Sequence, residues 1–296
     1  MKYPLIVLVL TVLFCCKSSK EIDARWARDR NVAKTLKGKT VVYTIFIDSK
    51  TTKPWSRFDI SSTKDSLNKV YSWLKNEGSK YAQDFEIIPV YGALGAKPTI
   101  KKKLPYSTIS AAFSGSDNDG GKLQKWASGI VKKLEKGIKL PNSQALPKKP
   151  KLDAFHKLVA KLKIKYNADN VVVFFMLNNY YIEDASAVLH YMQDEECEYA
   201  INSGKNTNLY AAQLLTLFGA QNLNSKGYSS YQVKEIALAE QDFPTDVMHD
   251  FEADLFNLSI GEYTAYLIGW LDNINTKYID LLKIEPVKKK KNEKYK

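Results

Sequence analysis

The feature that most constrains the fold is an apolar run near the middle of the chain, Asn170–Leu177, with the sequence NVVVFFML. A run of this length without a charge or a turn-forming residue predicts a buried strand. A second run, Thr40–Asp48, is rich in β-branched and aromatic residues and predicts another strand. Composition agrees with a substantial core, because 45% of the 296 residues are hydrophobic and 12% are aromatic.

Between the strands, apolar residues recur at helical spacing. This spacing predicts a helix over 64–84, capped by Ser62 or Thr63, and further helices over 123–140, 152–166 and 208–219, with shorter strands over 85–91 and 196–202. The order of the elements predicts an α+β fold, in which helices pack against a mixed sheet. A long last helix is predicted over 263–282, because Ser259–Glu262 has the pattern of a capping box.

Four segments follow from this pattern. We predict a signal peptide over 1–15, a polar tether over 16–36, one domain over 37–285 and a basic tail over 286–296. Within the domain, residues 92–150 are the least regular, and we interpret them as an insertion with mobile loops around a short helix.

The N-terminus is typical of an exported bacterial lipoprotein. Its apolar run, Leu5–Phe14, is shorter than the ~20 residues of a membrane-spanning helix and fits the apolar region of a signal peptide. Cys16 follows this region, with Leu13 three residues before it, so Cys16 is the predicted lipidation site. The expected location is the cell envelope, on the periplasmic or surface side of a membrane. A plain secretory signal is the alternative. Cys197 is the only cysteine beyond this region, which excludes a disulfide framework.

The charge balance favours acidic partners. Lys and Arg outnumber Asp and Glu by 44 to 32, a formal net charge of +12. Such an excess attracts anionic lipid or acidic polymers, although solvated surface is the alternative for each lysine cluster. No specific nucleic acid is expected. The clusters lie at 101–103, 148–151, 157–165 and 288–291.

The last third of the chain contains YAAQLLTLFGAQN at 210–222 and FPTDVM at 243–248, and these two motifs resemble those of the metzincins, a family of zinc proteases. The segment 210–222, YAAQLLTLFGAQN, is similar to the active-site helix with the pattern H-E-x-x-H-x-x-G-x-x-H, and Gly219 matches its turning glycine. Downstream, FPTDVM resembles the Met-turn below the zinc site, with Met248 as its methionine. The resemblance implies a zincin-like fold, in which an edge strand lies over a cleft.

The zinc-binding residues of that pattern are missing here. Ala212, Thr216 and Asn222 stand at the three ligand positions, and Gln213 stands at the position of the general base. Zinc sites need His, Cys or carboxylate ligands, and an amide does not accept a proton from bound water. No catalytic residue, zinc or other cofactor is therefore expected, and the resemblance implies a pseudo-metalloprotease. Its remaining cleft would bind a protein or peptide by strand addition. The strand concerned is Glu196, Cys197, Glu198, Tyr199, Ala200, Ile201 and Asn202.

Three alternatives remain open. The resemblance is accidental if the segment is simply an apolar helix ending at glycine. A hydrolase with a non-standard metal site would use the ligand-rich stretch around His190 and Cys197, which also contains Asp194, Glu195 and Glu196. A non-enzymatic envelope protein would hold acidic glycan or lipid on its lysine clusters, and its binding would weaken as salt rises.

Overall fold

The computed structural model describes residues 22–25, 28, 31–93, 97–104, 117–140, 153–178, 187–189, 197–203, 206–225 and 231–287. In these ranges the helices are α1 (Arg57–Lys80), α2 (Asp117–Gly137), α3 (Ala154–Tyr166), α4 (Thr207–Leu217), α5 (Ile236–Asp242) and α6 (Glu262–Leu267). The strands are β1 (Ile22–Asp23), β2 (Gly38–Asp48), β3 (Phe85–Gly92), β4 (Thr99–Lys101), β5 (Asn170–Leu177), β6 (Ala187–Leu189), β7 (Tyr199–Asn202), β8 (Tyr231–Val233) and β9 (Lys283–Pro286). Two 3₁₀ helices span Leu255–Asn257 and Thr276–Leu282.

The central sheet has the strand order β3-β2-β5-β7-β6. β2 pairs in parallel with β5 on one side and with β3 on the other, where β4 continues the pairing at the end of β2. β5 and β7 are also parallel, and β6 runs antiparallel to β7. The expected mixture of helices with a mixed sheet is confirmed at this level. The predominance of parallel pairs explains why β2 and β5 are apolar along nearly their whole length, since both faces of such strands are covered.

Helices cover both faces of the sheet, and successive strand residues point to alternate faces. On one face, Val42, Phe46, Val172 and Phe174 pack with α1 and α4 in the first core cluster. On the other face, the intervening residues of β2 and β5 pack with α2 and α3 in the second cluster, which includes Trp126 and Phe155. The chain therefore forms three layers, with the sheet in the middle.

The stretch 92–150 contributes to these layers. Residues 99–101 form a strand that pairs with β2. The helix predicted over 123–140 is α2, which buries Leu123, Trp126 and Ile130 against the sheet. The described parts of this stretch are thus built into the second core.

Most of the described N-terminal segment belongs to the folded domain, which corrects the prediction of a tether over 16–36. Ile22 pairs with Ile284, and Ala24, Ala33 and Leu36 are buried. These small and apolar residues alternate with charges, so the segment resembles a solvated linker in composition. Only its docking against the C-terminal part of the chain reveals its burial.

α1 begins earlier than its periodicity suggests. Its N-cap is Ser56, whose hydroxyl accepts a hydrogen bond from the Asp59 backbone N–H (3.1 Å), rather than Ser62 or Thr63. The Asp59 carboxylate in turn accepts from the Ser56 backbone N–H, which completes a capping box. The capping box fixes the start of α1 directly after the loop that follows β2.

The prediction of a long C-terminal helix over 263–282 is wrong. α6 ends at Leu267, and the apolar spacing continues through a turn and the 3₁₀ helix Thr276–Leu282. The break occurs at Gly269, whose φ of +85° is left-handed and whose missing Cβ leaves room for Thr35. The capping box predicted at Ser259–Glu262 is also absent. The N-cap of α6 is Gly261, and no side chain caps the helix. In the described part of the chain, no helix combines the length and apolarity needed to span a bilayer.

Candidate functional site at the carboxyl edge of the sheet

α4 carries the zinc-protease resemblance, and it is buried on every side. Every residue from Asn208 to Leu217 is buried, including Ala212, Gln213 and Thr216. The helix packs between α1 and the C-terminal segments within the first core cluster. The prediction of a remaining cleft along this helix is therefore wrong in the described structure. An apolar helix of this kind reflects burial rather than an open site.

The side chains at the former ligand positions are engaged in the interior. The Thr216 hydroxyl donates to the Ala212 carbonyl (2.8 Å), one turn earlier in the same helix. The Gln213 amide donates to the Ile201 carbonyl (3.4 Å) and accepts from Asn202 Nδ2 (3.1 Å). Gln213 thus ties α4 to the end of β7, which satisfies polar groups that are buried.

The helix exit and the predicted Met-turn do come together. Gly219 has a φ of +98° and follows the end of α4, as expected of the turning glycine. Asn222 is buried and accepts from the backbone N–H of Val233 through its carbonyl (3.2 Å). The next residue, Leu223, donates its backbone N–H to the carbonyl of Met248 (3.0 Å). Both Asn222 and Met248 are buried, so their meeting builds core rather than a cleft floor.

The strand predicted to capture a peptide is internal. β7 lies between β5 and β6, so neither of its sides is an open edge. Cys197, Glu198, Tyr199, Ala200, Ile201 and Asn202 are all buried. The prediction of an exposed edge strand over 196–202 is therefore wrong. A four-residue strand has too weak a pattern to reveal whether a neighbour pairs on each side.

Several predicted site residues lie outside the described ranges. Cys16, His190 and Glu196 are among them, and so are Asp194 and Glu195. Among the described residues there is no group of three or more His, Cys, Asp or Glu side chains that would suit a metal ion. The metal site around His190 and Cys197 stays a prediction, with Cys197 placed in the second core cluster.

The topology points to a different region. In open sheets built from parallel strands, ligands bind beyond the carboxyl ends of the strands, where the strand order reverses. Here the chain moves from β2 outward to β3 and then returns to β5 on the other side, so the reversal lies between β2 and β5. The residues that follow these two strands, beginning at Ser49 and at Asn178, form the carboxyl edge of the sheet.

Asp48, the last residue of β2, organises the loop at this edge. Its carboxylate accepts from the Trp55 backbone N–H (2.9 Å) and from the Thr99 hydroxyl on β4 (2.6 Å). The Trp55 indole N–H donates to the Ile47 carbonyl (3.1 Å), and its ring packs edge-on against Phe46. Hydrogen bonds and ring packing therefore hold residues 49–56 against the ends of β2 and β4, and we call this segment the rim loop.

A second anchor comes from β5. The buried Asn178 side-chain amide donates to the Pro54 carbonyl (3.1 Å) and to the Asp59 carboxylate (3.3 Å). The backbone carbonyl of Asn178 accepts from the Lys53 N–H (2.9 Å). The rim loop is thus fixed to the ends of both strands at the reversal point, and the start of α1 is fixed with it.

Two asparagines that follow β7, Asn206 and Asn208, hold further segments at this end of the sheet. Asn206 caps α4 by accepting from the Asn208 backbone N–H (2.8 Å), and its side chain donates to the Phe251 carbonyl (3.1 Å). The Asn208 side chain donates to the Ala253 carbonyl. These contacts bring the segment 251–257 to the same end of the sheet as β7 and the start of α4.

Exposed apolar side chains flank this edge. Phe58, in the first turn of α1, is 77% exposed, and Phe256 is 61% exposed. Phe58 adjoins Asp59, which bonds to Asn178, and Phe256 follows the segment that Asn206 and Asn208 hold. Large exposed aromatic side chains next to a fixed polar loop are typical of a binding surface.

The chemistry available from these described residues is recognition by hydrogen bonds and apolar contact. Amides, hydroxyls and carboxylates offer both donors and acceptors, as a peptide backbone does. Two carboxyl groups with raised pKa values lie elsewhere: burial raises the pKa of Glu198 to about 8 and that of Asp246 to about 6. Glu198 accepts from the Val32 N–H (3.3 Å), and Asp246 accepts from Met248 and Gly261 (both 2.7 Å), so both carboxyl groups brace backbone segments.

A shallow cavity of about 490 Å³ lies at the opposite end of the sheet. It is bordered by the amino ends of β2 and β3 and by α1, and Lys39 and Glu86 in its wall form an ion pair (3.6 Å). Its position at the amino ends of the strands is not where parallel sheets bind ligands.

The carboxyl-edge residues were not identified from the sequence. Asp48 ends one predicted strand and Asn178 directly follows another, which was the available signal, but the parallel pairing that brings the two strand ends together is a long-range property. Comparison of the chain with protein-family models, with curated proteins and with solved structures finds no match.

Proposed function

We propose that this chain is a non-catalytic binding protein of the bacterial cell envelope, held on a membrane by a lipid on Cys16, which recognises a peptide or protein at the carboxyl edge of its sheet. The observation that carries the proposal is the rim loop, which hydrogen bonds fix to both strand ends at the reversal point while Phe58 stays exposed beside it. A loop held in this way binds without the entropic cost of ordering it first.

The non-catalytic part is supported by the residues at the motif positions. Ala212, Gln213, Thr216 and Asn222 stand where the metzincin pattern has its zinc ligands and base. The metzincin-like fold itself remains a prediction, and the buried α4 and internal β7 do not favour binding at the place that it implied. We therefore place the ligand at the rim loop instead.

A peptide fits this edge for two reasons. The exposed rim-loop residues Thr51, Lys53 and Pro54 give its backbone a fixed surface to lie along. Its apolar side chains would contact Phe58 and the half-buried Trp55. Aromatic anchors surrounded by polar contacts contribute most of the energy at many protein interfaces.

The test is selection of random displayed 12-residue peptides on the purified full chain, followed by measurement of the selected peptides on two variants. Phe58→Ala should weaken them by at least about tenfold, as expected of an aromatic anchor. Ile279→Ala, which removes a 50% exposed side chain from the 3₁₀ helix Thr276–Leu282, is the control and should leave affinity unchanged. Failure to select any peptide, or equal affinity for the Phe58 variant, would contradict the proposal.

A further inference from the structure

The two outer layers of the molecule carry opposite charge. Residues 97–104, 117–140 and 153–166, which surround the second core cluster, contain fourteen lysines and four acidic residues. Residues 231–287, which pack on the first cluster, contain eleven acidic residues and three lysines. Among these described ranges, the excess of lysine is therefore concentrated on the α2 and α3 side of the sheet.

Part of this charge forms one line on α2. Lys122, Lys125, Lys132, Lys133 and Lys136 are all exposed. At about 100° of rotation per residue they fall within one stripe on the outer face of the helix. The opposite face of α2 buries its apolar residues against the sheet.

The stripe would be interrupted at Gly129, and Lys102 fills that gap. The Lys102 ammonium lies 3.7 Å from the position that a Cβ atom on Gly129 would occupy. Lys102 comes from the end of β4, so a separate element of the fold completes the line. We call Lys102, Lys122, Lys125, Lys132, Lys133 and Lys136 the lysine stripe.

The carboxylate of Glu135 lies on α2 beside the stripe and is directed to a different helix. It pairs with Lys161 of α3 (2.8 Å). Like charges three or four residues apart destabilise a helix, and the stripe contains such pairs at 132 and 136 and at 133 and 136. These pairs repel each other in the isolated chain, and a bound anion would reduce that repulsion.

We infer that the lysine stripe is a docking surface for an acidic polysaccharide. It extends over about 20 Å, at a rise of about 1.5 Å per residue, and so matches an extended chain with repeated negative charges. Only lysines form it, and lysine ammonium groups are point charges without the planar fork by which Arg recognises single phosphates. A line of mobile point charges suits a polymer of repeated anionic groups better than one specific phosphate.

The path of the N-terminus favours a polymer over the bilayer. Residues 17–21 separate Cys16 from Ile22, which pairs with Ile284 in the small sheet on the acidic side. Such a link reaches at most about 20 Å. If the lipid on Cys16 is present, which this step takes from the proposed function, the acidic side lies next to the membrane and the lysine stripe faces away from it.

The experiment measures binding of the purified full chain to heparin, a sulfated polysaccharide, at about 50 and about 200 mM NaCl. We expect binding that weakens steeply with salt, because displaced counterions drive such association. The variant Lys132→Gln/Lys133→Gln should bind on the order of tenfold more weakly. The control Lys69→Gln/Lys75→Gln removes the same charge from exposed positions on α1 and should bind like the parent.

Each other outcome overturns the inference. Equal losses in both variants would show a response to net charge rather than to the stripe. Absence of heparin binding, with binding to vesicles containing about 30% phosphatidylglycerol, would identify the membrane as the partner. Salt-sensitive self-association that the stripe variant abolishes would identify the acidic side of a second copy. None of these results depends on peptide binding at the rim loop, so failure of that proposal is separately detectable.

Discussion

On one face of the central sheet, α2 and α3 bury a single apolar stripe and turn lysines to solvent, whereas on the other face α4 is buried all round beneath the C-terminal segments. The two arrangements explain two sequence patterns. Amphipathic periodicity marks a helix in an outer layer, and uniform apolarity marks a helix with a further layer above it. The segment 208–219 is uniformly apolar, which suggested an active-site helix. Its apolarity instead reflects the layer of C-terminal segments that covers α4.

The largest expected effect comes from placing a charge in α4. Ala212→Asp would bury an unpaired carboxylate and should lower the free energy of unfolding by about 4–5 kcal/mol. Asn68→Asp, which adds a carboxylate to an exposed position of α1, is the control and should change it by less than about 0.5 kcal/mol. Urea unfolding followed by circular dichroism measures both. An unchanged midpoint for Ala212→Asp would mean that this face of α4 is open to solvent.

The next effect concerns a carboxyl group that is already buried. Because burial raises the pKa of Glu198 from 4.5 to about 8, its contribution to stability is fully present below pH 4.5 and is lost as pH rises through about 8. The whole loss is about 4–5 kcal/mol, at about 1.36 kcal/mol per pKa unit. In Glu198→Gln this component should vanish, while the bond from Val32 is retained by the amide oxygen.

Urea unfolding at several pH values between 4 and 9 checks this prediction. Asp246 contributes a loss of the same sign in a lower window, between pH 3.8 and about 6, so the two groups are distinguishable. A profile for Glu198→Gln that still falls between pH 6 and 9 as in the parent would refute the assignment to Glu198.

A smaller effect on stability is expected at the ion pair that joins α2 to α3. Lys161 and Glu135 connect α3 to α2 by an ion pair of 2.8 Å between side chains that are 17% and 13% exposed. Partial burial makes this pair stronger than an exposed one, so a double-mutant cycle with alanine at both positions should give a coupling of about 1 kcal/mol. A coupling near zero would show that α2 and α3 are held by apolar contacts alone.

The smallest effect has the opposite sign. Lys132→Gln/Lys133→Gln removes like charges from the lysine stripe and should raise the free energy of unfolding by a few tenths of a kcal/mol at low salt. The gain should disappear as the salt concentration rises. Destabilisation by the same variant would indicate that these lysines stabilise the fold, and would weaken the argument that the stripe is kept for a partner.

Local patterns predicted the main elements well. The strands at 40–48, 85–91 and 170–177 and the helices at 152–166 and 208–219 agree with the structure to within a few residues. The long last helix failed because its apolar spacing continues past Gly269, whose close approach to Thr35 requires a left-handed turn. A distant residue caused that break, so spacing alone did not reveal it.

The candidate site was largely beyond prediction from sequence. Asp48 and Asn178 are 130 residues apart and meet only because β2 and β5 pair in parallel with their ends in register. The exposed Phe58 was equally hidden, since its neighbours Asp59 and Ile60 are buried and the phase of α1 is set by the capping box at Ser56. Conversely, the prediction of an edge strand over 196–202 failed because nothing in that segment encodes the two strands that pair with β7.

The sequence by itself determined the positions of the main strands and helices and showed that Ala212, Gln213, Thr216 and Asn222 are not metal ligands. These properties depend on residue chemistry and on spacing within one or two turns. Tertiary structure alone decided that β7 is internal, that α4 is enclosed, that Lys102 completes the stripe over Gly129, and that the strand ends meet at the rim loop. Those outcomes depend on contacts between distant segments, whose pairing is selected by the free energy of the whole packed chain.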